Sequence, residues 1–320
     1  VTGTAANPRP TRTVFIGSGS FGVPAIRTLA ADAGIDLVGV VSAPPRPAGR
    51  RLEPRPTPIA GLASELGVGS VLTPRRLREP ASIAEILALD PGLIVLADYG
   101  QIVPPELLAV GNGALNLHPS LLPRHRGATP VPAAILAGDP TTGVTLMRMD
   151  EGLDTGPIVA QVETPVGPDE TAPALESLLG VMAGDLLAAS LPGWLRGELP
   201  EHPQPTLGAS LTKPLRRADG ALDPARPAVE LERQVRAYQP WPGSFIGTRH
   251  GRLTIWQAEA APGEHQPPGR LGPRGLETGD GMLVLHEVQP AGGRRMPWVE
   301  YLRGRPGIVG SAALASPRDP

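Results

Sequence analysis

The chain contains no cysteine, which excludes disulfide frameworks, thiolate nucleophiles and zinc ribbons together. Lysine is nearly missing as well: Lys213 stands alone beside 28 arginines. Aromatic residues make up only 3% of the chain, so base-stacking surfaces, if present, must be concentrated somewhere. Continuous apolar runs such as Leu93–Ala97 fall far below the roughly 20 residues that span a bilayer. Residues 1–13 (VTGTAANPRPTRT) lack the apolar core of a signal peptide, so the expectation is a cytoplasmic protein without a membrane partner.

The 320 residues are 41% apolar and 19% charged, a balance that belongs to folded globular chains. The length suits about two domains, each able to bury its own core. Glycine and proline together number 81, yet they show no collagen-like period and are spread through apolar-periodic segments. A net charge of −2 conceals an asymmetry: residues 1–206 hold 14 basic and 20 acidic side chains, residues 207–310 hold 14 and 10. A mildly basic second half is compatible with a polyanion partner without requiring one.

From Thr13 to Leu195, β-branched runs alternate with helical stretches, the pattern of a mostly parallel sheet covered by helices. Strands are expected at Thr13–Gly17, Leu37–Ser42, Leu93–Ala97, Ala114–His118, Val144–Asp150 and Ile158–Val162. Helices are expected near Val23–Ala33, Pro58–Leu66, Ile83–Leu89, Pro130–Ala137 and Pro173–Leu195. The proline-rich polar stretch that follows reads as a linker, 197–220. Beyond it, one helix (Ala228–Tyr238) and short alternating runs at Ser244–Ile246, Arg252–Trp256 and Met282–Val288 predict a small β-barrel over 221–310. Six of the ten aromatics lie there, most simply as its core. Residues 1–11 and 311–320 read as tails, and no exposed apolar stripe argues against a monomer.

Gly17-Ser-Gly-Ser-Phe-Gly22 is a literal G-x-G-x-x-G between strand and helix, the setting of a dinucleotide site. Such a site also uses an acidic residue at the end of the second strand, where Val41-Ser42-Ala43 stands instead. Asp36 lies at that strand's start, so the glycines read better as a turn passing closely over the sheet. In Asn116-Leu117-His118, two polar side chains alternate with an apolar one at the carboxyl end of a strand. Period two puts both on one face, at the edge where open α/β sheets bind ligands. An amide can stabilise an oxyanion, an imidazole can carry a proton, and a carboxylate from a later loop can hold the imidazole's charge. That set suits acyl transfer to an amine brought by the substrate. No metal is expected, since the nearest histidine, His125, is seven residues away across a proline-containing loop.

The run N-L-H-P-S-L-L-P-R-H-R-G from Asn116, followed by M-D-E-G-L-D-T-G from Met149, resembles the folate-dependent formyltransferases. Pro44–Leu52 is similar to an arginine-bearing loop of the members that act on tRNA, and Val95–Val103 to their strand and turn before the active site. Arg236-Ala-Tyr-Gln-Pro-Trp-Pro242 and Leu285–Gly292 resemble parts of their C-terminal barrel. The resemblance covers roughly residues 12–305. It implies a Rossmann-like formyltransferase domain over 12–196 followed by an OB-like barrel. It also implies transfer of formyl from 10-formyltetrahydrofolate to the α-amine of methionine on initiator tRNA. A small amine, such as an amino-sugar nucleotide, is the alternative acceptor.

By matching positions, the resemblance assigns catalysis to Asn116, His118 and Asp154. It assigns the folate site to Ser120, Leu121, Leu122, Pro123, Val103, Asp150, Gly152 and Leu153. It gives tRNA contact to Arg46, Arg50 and Arg51 and to the linker residues Lys213, Arg216 and Arg217, with neither metal nor NAD. The chain departs from the family at His125, often tryptophan there, at Pro119, often glycine, at Pro224, usually tryptophan, and in a linker richer in arginine than lysine. Arginine preserves attraction to phosphate and adds bidentate geometry.

Overall fold

The computed structural model describes residues 9–48, 53–263, 266–305 and 307–314. The chain divides into two compact units, one made of residues up to Pro130 with Thr141–Pro165 and Glu176–Thr212, the other of Val131–Pro140, Val166–Leu175 and the chain from Lys213 onward.

Through Thr212 the strands are β1 (Thr11–Gly17), β2 (Ile35–Val41), β3 (Arg46–Ala48), β4 (Glu53–Arg55), β5 (Val71–Leu72), β6 (Leu93–Ala97), β7 (Ala114–His118), β8 (Arg126–Gly127), β9 (Thr141–Arg148), β10 (Ile158–Pro165) and β11 (Leu211–Thr212). The helices are α1 (Val23–Ala31), α2 (Pro58–Glu65), α3 (Pro80–Leu87), α4 (Pro105–Leu108), α5 (Pro130–Ala137) and α6 (Ala172–Leu195). Local chemistry sets several starts. Thr57 caps α2 by accepting from the Ala60 N–H at 3.1 Å, with Pro58 at the first helical position.

The main sheet has the order β10-β9-β7-β6-β1-β2-β5. Strands β5, β2, β1, β6 and β7 run parallel, while β9 pairs antiparallel with both β7 and β10. Both faces of the central strands are buried, which is why they read as continuous apolar runs rather than alternating ones. Val14, Ile16, Ile94, Leu96 and Ala114 share one face with Ile86 of α3 and Leu107 of α4. On the opposite face the Phe15 ring meets Gly22 just before α1. Asn116 lies beside Leu96 in register, so Asn116 and His118 continue the Ala114 row past the apolar packing toward the carboxyl edge.

Helix α6 corrects the expectation drawn from short apolar runs. Its 24 residues are long and apolar enough by composition to cross a membrane. Its apolarity has a packing explanation, however: Leu179, Ala183, Leu187 and Leu191 recur every four residues and are buried. Gly180 and Gly184 let it approach Phe21 and Pro24 so closely that an added Cβ would sit 3.1 and 3.0 Å from them.

The second unit contains α7 (Ala228–Ala237), β12 (Ser244–Thr248), β13 (Gly251–Ala261), β14 (Gly275–Glu277), β15 (Met282–Pro290), β16 (Met296–Pro297) and α8 (Trp298–Arg303). Its sheet runs β12-β13-β15-β14, with β16 on β15, all antiparallel. Main-chain bonds close the remaining gap: Gly269 donates to Glu277, Ala313 to Gly269, and Leu314 to Gly247 of β12. The expected C-terminal tail therefore begins too early, because residues 311–314 complete the barrel. Leu231, Leu253, Leu276, Leu285, Trp298 and Tyr301 belong to its core. The aromatic expectation holds only in part: Phe245, Trp298 and Tyr301 are buried, while Trp241 is 53% exposed.

The expected linker, 197–220, is also redrawn. Its first part, through Thr212, belongs to the sheet-bearing unit. His202 bridges Ile158 of β10, and β11 pairs in parallel with β8.

Candidate active site

Asn116 and His118 leave the end of β7 on one face, both about 95% buried. The loop carrying Asp154 meets them. Asn116 Nδ2 donates to Asp154 Oδ1 at 3.3 Å, and His118 Nδ1 lies 3.7 Å from Asp154 Oδ2. That second oxygen also accepts the Gly127 N–H at 2.8 Å. The other imidazole nitrogen, Nε2, is 3.0 Å from the His125 carbonyl. A carbonyl can only accept, so Nε2 carries the hydrogen, and in the neutral ring the basic atom is Nδ1, which faces the carboxylate.

Both supports adopt left-handed backbone conformations. Asp154 has φ +51° and His125 has φ +56°, the left-handed region that side-chain-bearing residues seldom occupy. Gly156, just after Asp154, has no room for a Cβ, which would overlap the Arg148 carbonyl. The three residues proposed from the sequence as a catalytic set are thus brought together by β7 and two irregular loops.

The folate-site candidates fall into two groups. Residues Ser120–Pro123 form a pinned loop: Thr145 Oγ1 donates to the Ser120 carbonyl (2.7 Å) and accepts from Leu122 N–H (3.1 Å), and Gln161 Nε2 donates to the Leu122 carbonyl (3.0 Å). The Ser120 hydroxyl is buried and donates to the Arg124 carbonyl at 2.6 Å, so it shapes the loop. Val103 is in the apolar cluster with Leu96. In the Asp150–Leu153 loop the Asp150 carboxylate accepts from Gly152 N–H (3.0 Å) and from the Thr155 hydroxyl (2.8 Å), leaving Leu153 56% exposed.

Of the arginine loop, Arg46 is exposed on the β3–β4 hairpin, while Arg50 and Arg51 lie outside the described residues. Lys213 and Arg216 precede a single 3-10 turn that begins at Arg217. Arg217 also lines a shallow cleft of about 280 Å³ with Trp241, Arg252 and Gln289. Among the described residues, no group of three histidine or acidic side chains could hold a metal.

The glycine-rich turn has its own geometry. A Cβ on Gly17 would come within 2.5 Å of the Ala97 carbonyl, and one on Gly19 would overlap the Asp98 carboxylate. These glycines permit close passage of the turn over β6. Desolvation pushes the Asp98 carboxyl above its ordinary value, Glu176 adds to the shift, and a hydrogen bond from the Gly19 backbone opposes it. Burial likewise pushes the Tyr99 phenol up to about 12.

Residues 204–212 were missed by sequence reasoning, although they touch every support of the site. Gln204 Nε2 donates to the carbonyls of Asp154 (2.8 Å) and Gly156 (2.7 Å), and Ser210 Oγ accepts from His125 N–H (2.8 Å). A polar, proline-rich segment offers no periodicity from which such a role could be read.

Comparison with known proteins places this geometry in context. A family model described as "Formyl transferase" matches residues 11–188, and one described as "Formyl transferase, C-terminal domain" matches residues 214–306. A methionyl-tRNA formyltransferase of Roseiflexus sp. (strain RS-1) is 44% identical over 303 residues, covering 92% of this chain and 93% of that protein. One from Myxococcus xanthus (strain DK1622) is 42% identical over 306 residues, covering 94% and 97%. An N-formyltransferase from Helicobacter canadensis, solved with folinic acid and dTDP-3-aminofucose, shares the fold with a TM-score of 0.63 at 14% identity, over 89% of this chain and 99% of that one.

Proposed function

The chain belongs to the formyl transferase family, and from that membership we propose that it formylates the α-amine of methionine on initiator tRNA with 10-formyltetrahydrofolate as donor. One observation carries the choice of substrate. Identity above 40% to methionyl-tRNA formyltransferases runs through both halves of the chain, whereas the enzyme with an amino-sugar nucleotide shares only the fold. The bacterial relatives also favour a cytoplasmic site of action, and the protein is taken to work as a monomer.

The chemistry follows from the site. The amine attacks the formyl carbon, the carbonyl oxygen becomes an oxyanion, and the bond from that carbon to the folate nitrogen then breaks. Asn116 supplies an N–H to the oxyanion, an interaction commonly worth about 3 kcal/mol of barrier. His118 Nδ1 takes the proton that the amine gives up and delivers it to the departing folate nitrogen, so no proton is gained or lost overall. Asp154 Oδ2, 3.7 Å from that nitrogen, stabilises the transient imidazolium. The residues Ser120–Pro123 and Asp150–Leu153, with Val103, are assigned to the folate. Arg46, Arg50, Arg51, Lys213, Arg216 and Arg217 are assigned to the tRNA backbone.

The test offers the protein labelled 10-formyltetrahydrofolate with charged initiator tRNA, charged elongator tRNA, free methionine or an amino-sugar nucleotide. Transfer confined to the initiator is expected. Transfer to the sugar amine with none to tRNA would reassign the substrate.

A further inference from the structure

We infer that Gln204 and Ser210 are positioning residues for formyl transfer, fixing from outside the loops the two groups that hold the His118 ring. The inference rests on the proposed role of that ring as proton carrier.

The Gln204 amide has its hydrogen-bonding capacity filled from both ends. Its nitrogen donates to two carbonyls, those of Asp154 and Gly156, and its oxygen accepts Nε (3.0 Å) and Nη2 (2.8 Å) of Arg126. Reversing the amide would aim N–H groups at a guanidinium and an oxygen at two carbonyls, so its orientation is unique. Aspartate reaches the left-handed region more readily than most residues, but at a cost that the surroundings must offset. Here the bonds to the carbonyls on either side of Thr155 do so. They set where Asp154 Oδ2 stands relative to His118 Nδ1.

Ser210 acts on the other side of the ring. Its hydroxyl accepts from His125 N–H, its carbonyl accepts from Arg126 N–H at 2.9 Å, and its own N–H donates to the Pro123 carbonyl at 3.2 Å. Those bonds fix the left-handed His125, whose carbonyl receives the His118 Nε2–H. One face of the segment thus holds the carboxylate and its other end holds the carbonyl. The segment is itself anchored on both sides: His202 and Ile158 exchange main-chain bonds of 2.8 and 2.9 Å, and Thr212 Oγ1 donates to the Arg126 carbonyl at 3.0 Å. A misplacement of about 1 Å at such a site can cost about 100-fold in rate.

The test uses the full chain with Gln204→Ala, Ser210→Ala and Ser210→Thr, each made alone and with His118→Ala. We expect kcat at saturating substrates to fall about 10- to 100-fold for the alanine variants while KM for the folate stays within about twofold. Ser210→Thr, which retains the hydroxyl acceptor, should recover most of the rate. Where His118 is already alanine, the same changes should alter the residual rate less than about twofold, because the group they position is gone. An unchanged kcat in a folded Gln204→Ala variant, or an equal loss with and without His118, would overturn the inference. If Gln204→Ala does not fold by circular dichroism, Gln204→Glu keeps the side-chain volume while turning the donor nitrogen into an oxygen, and it is read the same way.

A measurement independent of turnover separates this inference from the proposed function. The buried His118 ring N–H should give a slowly exchanging downfield proton resonance that disappears in His118→Ala. Ser210→Ala should make it exchange rapidly, and its persistence would overturn the role of Ser210. That reading stands even if the wild-type protein formylates no tRNA, an outcome that would reject the function alone.

Discussion

Asp98 sits at the end of β6 with φ +54°, its carboxyl against the Gly19 turn and raised above the ordinary aspartate value first by desolvation and then by Glu176. A carboxyl whose folded pKa is raised contributes stability at pH below its unfolded pKa, and loses that contribution as pH rises through the folded value. At neutral pH the charged form is therefore a burden on the fold. Asp98→Asn keeps an acceptor for the Gly19 N–H and tolerates positive φ. We expect it to raise the denaturant midpoint at pH 7 and to leave it unchanged near pH 3; a lowered midpoint at pH 7 would contradict this. At this scale the sequence was informative where local periodicity carried the signal. Asn116 and His118 share a face because strand side chains alternate, and the structure puts both on that face. Gln204 was illegible because its partners lie about 50 and 78 positions away in the chain, and nothing in its neighbours marks it.

Elements were legible in proportion to their length. Strands at Leu93–Ala97 and Ala114–His118 and the helix at Pro130–Ala137 have the bounds expected of them. The two-residue strands β5, β8, β11 and β16 are too short for any period to develop, and tertiary pairing alone creates them. The same holds for residues 311–314, which closed a barrel while reading as a tail. Ending the chain after Gly310 removes four main-chain bonds, Ser311 to Ile308, Leu271 to Ser311, Ala313 to Gly269 and Leu314 to Gly247. At about 0.5–1.5 kcal/mol each, the loss should amount to about 2–6 kcal/mol for the barrel unit. A denaturation transition of that unit identical to the full chain's would show that these bonds contribute nothing.

For the whole molecule, charge is the organising property. Residues 1–206 carry −6 and residues 207–310 carry +4, and Lys213–Arg217 opens the basic half directly after residues 204–212, which bond to the loops of His125 and Asp154. Replacing Lys213, Arg216 and Arg217 together with alanine should raise KM for the tRNA and leave kcat at saturation nearly unchanged. It should also reduce the slope of log affinity against log salt by about 2–3, since each phosphate contact contributes roughly 0.7–0.9. An unaltered salt slope would remove these residues from the tRNA interface. The family model for the second domain begins at residue 214, close to the boundary seen in the fold and inside the linker, 197–220, that composition suggests. Composition marks 197–220 as a connector, whereas hydrogen bonds to loops far away in sequence make its first part, through Thr212, belong to the first unit.

His118 is the group proposed to move the proton during transfer to methionine on tRNA. The most direct measurement is the single-turnover rate of formyl transfer from 10-formyltetrahydrofolate to charged initiator tRNA, with both in excess of their binding constants, for wild type and His118→Ala. The account predicts a fall of about 10²–10⁴-fold with tRNA and folate still bound. A variant that transfers formyl at close to the wild-type rate would contradict it.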